Sequence, residues 1–150
     1  MSESDGGRLV IEVVFDTNVL LVALINPRGV NMRVLRTIVA QGSIFHVCYS
    51  SQMFAEYEDV LSRPVVTGRG LQPEARRLLS LVRSIGEEVV PKPVYALVYP
   101  DRKDRPFLEA AVYVDGVLLT NNLKDFPFLG VNVLAPEEFL AWCAERSLIT

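Results

Sequence analysis

The sequence predicts an α/β domain built on a mainly parallel sheet, and three observations carry that prediction. Short runs rich in β-branched residues alternate with longer segments whose apolar residues recur at helical spacing, the pattern of strand–helix–strand units. The first such run, LVIEVVF at residues 9–15, is apolar on both faces apart from Glu12, as a strand covered by helices on both sides would be. The chain has 150 residues, half of them hydrophobic, enough for one domain with a two- or three-layer core. Residues 1–7 are expected to form a flexible tail and residues 8–150 a single domain.

Each element has its own local reason. After the first strand, Asp16 or Thr17 can cap a short helix that runs to about Ile25 and ends in the turn NPRG. In VNMRVLRTIVAQG, residues Val30, Val34, Leu35, Ile38 and Val39 lie at helical spacing and Gly42 is the stop. IFHVCY is a second strand. Ser50 or Ser51 caps the next helix, SSQMFAEYEDVLSRP, whose Met53, Phe54, Tyr57, Val60 and Leu61 share one face. LQPEARRLLSLVRSIGEE starts with Pro73 in its first turn and presents Leu78, Leu79, Leu81, Val82 and Ile85 as its core side. EVVPKP is a short strand or extended segment. A helix from near Asp104 to Gly116, a strand VLLT, a helical turn NNLKDF, a strand VNVL and a terminal helix from Pro136 complete the order.

Composition narrows the function classes. The formal charge is −3, so polyanion binding must come from a local basic patch or a bound cation. His46 is the one histidine, and Cys48 and Cys143 lie far apart without a CxxC pair. That pattern excludes a typical zinc site, argues against a disulfide framework and leaves two buried thiols in a reducing compartment. The head MSESDGG lacks the basic and apolar regions of a signal peptide, and no apolar run is long enough to span a bilayer, so a cytoplasmic location without membrane contact is expected.

Sites in open parallel sheets collect outside the carboxyl ends of the strands. That edge holds Asp16 after the first strand, Asn121 and Asn122 after VLLT, and Asp125 one helical turn later. Asp104, at the start of the helix before VLLT, and Glu56, bordering the apolar face of its helix beside Met53 and Val60, reach the same edge. Carboxylates gathered there repel one another unless a cation neutralises them. Without a histidine or cysteine cluster, the fitting counter-ion is a hard one held by oxygen, Mg²⁺ or Mn²⁺. Such ions activate water and stabilise the departing oxygen in phosphodiester cleavage.

The segments FDTNVLL, AEYEDVLSRP, DRKDRPFLEAA and LLTNNLKDF, in that order and at these separations, resemble the PIN-domain nucleases, in particular the bacterial branch of toxin–antitoxin toxins related to VapC. The resemblance runs from Arg8 to the PEEFLAW helix. It implies a three-layer α/β/α sandwich on a five-stranded parallel sheet of order 3-2-1-4-5, and metal-dependent cleavage of single-stranded RNA at a cluster of acids. Carried over by position, Asp16, Glu56, Asp104 and Asp125 are the catalytic, metal-holding acids for Mg²⁺ or Mn²⁺. Asn18 and Thr17 support the first acid, and Asn122 is an outer ligand. Many relatives carry aspartate at the position of Asn122 and a further acid at that of Arg105; here Arg105 is expected to offer its charge to the substrate phosphate. The resemblance also implies 5′-phosphate and 3′-hydroxyl products, a homodimer, and a cognate antitoxin that covers the acidic groove.

Plainer roles stand beside these. Asp16 and Asp104 are good helix caps, worth about 1 kcal/mol each. Glu56 can be a solvated helix charge, and Asn121, Asn122 and Asp125 turn formers. Asp101 shapes a loop, Glu109 supports the site from a turn further along its helix, and His46 is packed within its strand. Arg76, Arg77 and Arg83, like Arg28, Arg33 and Arg36, are phosphate contacts or scattered solvated charges. Among rival activities, an aspartate-nucleophile phosphatase wants an acid where Asn18 stands, and a receiver-type phospho-acceptor wants a strand-end lysine that Lys124 does not supply. The non-enzyme alternative is a catalytically impaired PIN scaffold that binds protein or RNA.

Overall fold

The computed structural model describes residues 2–4, 8–93, 102–126 and 131–148; Asp101 lies outside them. The strands are β1 (Ser2–Ser4), β2 (Arg8–Phe15), β3 (Phe45–Ser50), β4 (Gly86–Val89), β5 (Val117–Leu119) and β6 (Asn132–Leu134). The helices are α1 (Thr17–Ile25), α2 (Val30–Ala40), α3 (Ser51–Val60), α4 (Pro64–Thr67), α5 (Gln72–Ile85), α6 (Arg105–Val114) and α7 (Pro136–Glu145). Single 3₁₀ turns cover Arg102–Asp104 and Leu123–Asp125. Five strands pair in parallel in the order β4-β3-β2-β5-β6. Counted among themselves along the chain, these five have the expected order 3-2-1-4-5.

The described part of the N-terminal stretch, Ser2–Ser4, adds a further strand to the sheet. Ser2–Ser4 folds back as a strand antiparallel to the start of β2, Ser2 opposite Val10 and Ser4 opposite Arg8. The reason lies in the uneven reach of the neighbours. β3 pairs with Ile11–Val13 and β5 with Val13–Phe15, so the first residues of β2 would otherwise present unpaired backbone groups.

Both faces of the central strand are covered, because the consecutive residues Val13, Val14 and Phe15 are wholly buried. Helix α6 packs against β2, β3 and β5 and touches α3, while α1 packs against α2, α3 and α5. Glu12, the one charge in the run, is matched by β3. Its carboxylate accepts the Cys48 thiol at 3.1 Å and lies 3.7 Å from His46 Nδ1. Cys48 and Cys143 are both buried as free thiols. The approach of β5 to β2 needs Gly116, where a Cβ would stand 2.6 Å from the Glu12 carbonyl oxygen.

Two parts of the expected pattern are corrected by packing. α5 buries a narrow stripe of Ala75, Leu78 and Val82, with Leu79 partly covered, and leaves Leu81 and Ile85 exposed at 36% and 38%. The helix covers the edge of the sheet, at β3 and β4, where one stripe is all that finds a partner. After Arg63, Pro64 opens a one-turn helix, α4, that the pattern did not foretell; it buries Val66.

Candidate active site

The site begins where β2 stops. Asp16 follows the last strand residue, donates its N–H to the Leu119 carbonyl at 2.9 Å, and takes extended backbone angles as the N-cap of α1. Its side chain, 8% exposed, is held by three donors. Oδ1 accepts the Thr17 N–H at 2.9 Å; Oδ2 accepts the Thr120 hydroxyl at 2.6 Å and the Asn18 amide at 3.1 Å. The cap role is therefore real, and it occupies one oxygen only.

Helix α3 delivers Glu56. Ser50 caps that helix through the Met53 N–H at 3.1 Å, and the Tyr57 hydroxyl donates to the Phe15 carbonyl at 2.6 Å, fastening the helix to the end of β2. Of the three acids of α3, Glu58 and Asp59 are exposed and Glu56 is half-buried, the inward border position expected of it. The Thr17 hydroxyl donates to Glu56 Oε2. Thr17 thus supports the first acid through its backbone and the second through its side chain.

Asp125 comes from the 3₁₀ turn after β5, its N–H bonded to the Asn122 carbonyl at 3.0 Å. Burial pushes the Asp16 carboxyl above the ordinary range; the Thr120 hydroxyl and the Thr17 N–H oppose the rise, and the charges of Glu56 and Asp125 add to it. Three carboxylates from three separate elements therefore share one electrostatic field. Asp104 is half-buried at the residue before α6, where φ −80° and ψ −17° place it in helical rather than N-cap backbone. Arg105 pairs with Glu109 one turn on, Nε to Oε2 at 3.2 Å. The Asn122 side chain is exposed; its N–H donates to the Thr120 hydroxyl oxygen at 3.0 Å.

Whether these groups suit a cation can be judged from their chemistry and their spacing. All the donors are oxygens, which suits a hard divalent ion, and the mutual repulsion around Asp16 is what such an ion removes. The grouping is open: among the described residues no three His, Cys, Asp or Glu side chains stand close enough to hold one ion between them.

Three participants have no assigned partner in the sequence pattern. Thr120 is wholly buried and bonds Asp16 because β2 and β5 pair with Phe15 opposite Leu119, which sets the next residues side by side. Its signal was a hydroxyl ending an apolar run at the sheet edge. Asn121 donates to Asn18 Oδ1 and to Asn31 Oδ1, and Asn31 is a buried amide on α2. Neither bond has a local sequence signature. Thr120→Val is expected to raise the Asp16 titration further, because a bond to the charged form is lost while burial remains. Carboxyl-carbon NMR titration of the two proteins measures this; an unchanged Asp16 midpoint would refute it.

Two of the arginines of α5 are engaged elsewhere. Arg77 pairs with Glu74 at 3.2 Å, and the Arg83 guanidinium lies 4.3 Å above the Phe54 ring. Away from the acids, an apolar groove of about 540 Å³ runs between α1, α2 and α5, floored by Leu24, Leu35, Val39 and Leu78 and rimmed by Arg36, Arg77 and Glu74.

A sequence model described as PIN domain matches residues 12–124. Among solved structures, VapBC-1 from nontypeable Haemophilus influenzae is similar at a TM-score of 0.59 and 16% identity, over 85% of this chain and 99% of that one. VapBC2 from Rickettsia felis, solved bound to a DNA fragment from the promoter, gives a TM-score of 0.57 and 15% identity over 83% and 98%. The DNA-bound VapBC from Salmonella typhimurium gives 0.55 and 18% over 85% and 99%. No curated protein sequence matches the chain.

Proposed function

The chain belongs to the PIN domain family, and from that premise we propose that it is a metal-dependent endoribonuclease of single-stranded RNA, the toxin of a toxin–antitoxin pair. One observation carries the reading: Asp16, a buried carboxylate at the end of the central strand, lies in the field of Glu56 and Asp125. A helix cap needs neither neighbour, and their presence makes the charged cap less favourable. An arrangement that costs stability in this way supports a binding site.

A bound Mg²⁺ or Mn²⁺ would supply the Lewis acidity that phosphodiester hydrolysis to 5′-phosphate and 3′-hydroxyl ends requires. Asp16, Glu56, Asp104 and Asp125 are the residues we assign to hold it, directly or through water. Within Asp16, Oδ2 already accepts two bonds while Oδ1 accepts one, so Oδ1 retains a lone pair for the cation. Thr17 holds Glu56 in place, Asn18 and Thr120 hold Asp16, and Asn122 serves as an outer ligand. Arg105, paired with Glu109 in this structure, is assigned to the substrate phosphate.

The similar structures are VapBC assemblies, which supports a cognate antitoxin here. The antitoxin is assigned to the acidic groove, and the apolar groove between α1, α2 and α5 suits an amphipathic segment of the same partner with acids facing Arg36 and Arg77. A cytoplasmic homodimer completes the reading; no described helix is long and apolar enough to cross a membrane. The second reading, a catalytically impaired scaffold that binds protein or RNA, draws on the open spacing of the acids.

Incubation with mixed single-stranded RNAs in Mg²⁺, Mn²⁺ or EDTA decides between the two. Cleavage is expected with a divalent ion and lost in EDTA. Cleavage that persists in EDTA would overturn the metal requirement, and no cleavage of any RNA with either ion would leave the scaffold.

A further inference from the structure

Asn31 is given no task in the proposed reaction, yet it is a buried amide, 4% exposed, on a helix whose other buried residues are Val34, Leu35 and Ile38. Burying an amide is unfavourable unless its polar atoms are paired. Its Oδ1 accepts the Asn121 side-chain amide at 2.9 Å. Asn121 in turn donates twice to Asn18 Oδ1, from its backbone N–H at 3.2 Å and from its side chain at 3.3 Å. Asn18 then donates to Asp16 Oδ2 at 3.1 Å. A single file of hydrogen bonds runs from α2 through the loop after β5 to α1 and the first acid.

We propose that Asn31 is a positioning residue for the Asp16 carboxylate, acting through Asn121 and Asn18. The argument is one of polarity. An asparagine side chain has nearly the same shape when its oxygen and nitrogen exchange places, so sterics do not decide which end of Asn18 meets Asp16. The carboxylate, an acceptor, takes the Nδ2 end, and two donors at the far end hold Oδ1 and so lock the amide in that sense. Asn121 is exposed at the surface, and its amide is kept from turning to water by the buried acceptor on Asn31. The consequence falls on Asp16. The Asn18 bond and the Thr120 bond together fill Oδ2, which determines that Oδ1 is the oxygen left for a ligand.

The catalytic consequence rests on the nuclease reading; the hydrogen-bond file itself does not. The test uses the full chain as Asn31→Leu, which removes the acceptor, Asn31→Asp, which keeps it, and Asn121→Ala, an exposed change that removes the side-chain link between Asn31 and Asn18 and leaves only the backbone N–H on Asn18 Oδ1. Kinetics of RNA cleavage with Mg²⁺ and side-chain amide ¹H–¹⁵N spectra of Asn18 in metal-free protein are both recorded. Asn31→Leu and Asn121→Ala are expected to lower kcat about tenfold with KM within about twofold, the scale for a group that orients a metal-binding side chain. Both should shift the Asn18 amide signals, and Asn31→Asp should restore kcat and signals together. Unmoved Asn18 signals in Asn121→Ala, or Asn31→Asp as impaired as Asn31→Leu, would overturn the proposal. If the native protein cleaves no RNA, the nuclease reading fails by itself and the Asn18 signals still decide the file. Should Asn31→Leu not fold, Asn121→Ala decides the same question.

Discussion

Asp16→Asn is expected to remove RNA cleavage while leaving the fold intact, and to gain stability relative to the native protein as the pH rises. Loss of a group that only orients a metal ligand lowers activity by about 10–100-fold, so loss of the ligand itself should cost at least on the order of a hundredfold. The stability effect has a definite sign. Burial, with the charges of Glu56 and Asp125, holds the folded-state pKa of Asp16 above its ordinary 3.8. Between those two values the folded chain keeps a proton that the unfolded chain has released. Stability therefore falls as pH rises from about 3.8 through the folded value, and stays lowered above it. Asparagine carries no titration and removes that loss. It also leaves one of the three donors around Asp16 facing an N–H, a cost that does not vary with pH. The measurement is the difference in Tm between variant and native protein in EDTA, from pH 3.5 to 8. A difference that does not move toward the variant with rising pH would refute the linkage, and full cleavage activity would refute the site.

Tyr57→Ala is expected to be the most destabilising single change near the site, and Tyr57→Phe separates its causes. Tyr57 is wholly buried, with ring centroids 5.9 Å from Phe54 and 6.4 Å from Phe107. Truncation to alanine opens a cavity at the joint between α3 and the end of β2, at a cost of about 3–5 kcal/mol. Phenylalanine keeps the ring and deletes the bond to the Phe15 carbonyl, at about 1–3 kcal/mol if that oxygen is left without a partner. Urea unfolding of the three proteins checks both values; a Phe variant as stable as the native chain would show that the hydroxyl adds nothing. Burial, then the charges of Asp16 and Glu56, hold the phenol protonated well above its ordinary range. The folded chain thus retains a proton that the unfolded chain loses near pH 10, and stability declines above that pH.

The two variants probe different depths of the sequence. Asp16 was legible because a lone acid after LVIEVVF interrupts a buried run, and Glu56 because the helical wheel set it beside Met53 rather than with Asp59. Thr120 and Asn31 were not legible in the same way. A threonine ending a strand and an asparagine in the first turn of a helix have ordinary local uses. Their meaning depends on residues 104 and 90 positions away. The pair of Arg105 with Glu109 is the opposite case: it is set by helical spacing alone and needs no distant residue.

The exposed side of α5 makes the same point at the level of packing. Leu81 and Ile85 carry the right period for a core helix, and periodicity cannot tell how wide a stripe the neighbours will cover. At the sheet edge Ala75, Leu78 and Val82 are buried and Leu79 is partly covered, and Leu81 is left to line the groove against α2.

By itself the sequence determined the order of the five parallel strands and of the helices other than α4, and the place of the acids along them. Those depend on caps, turn residues and hydrophobic period, which act within a few residues of chain. Only the tertiary structure decided which groups surround Asp16, how its two oxygens are shared, and that Ser2–Ser4 closes on β2. Those follow from the parallel register of β5 on β2 and the seating of α2 and α3 at the strand ends, contacts between distant segments whose geometry no local pattern encodes.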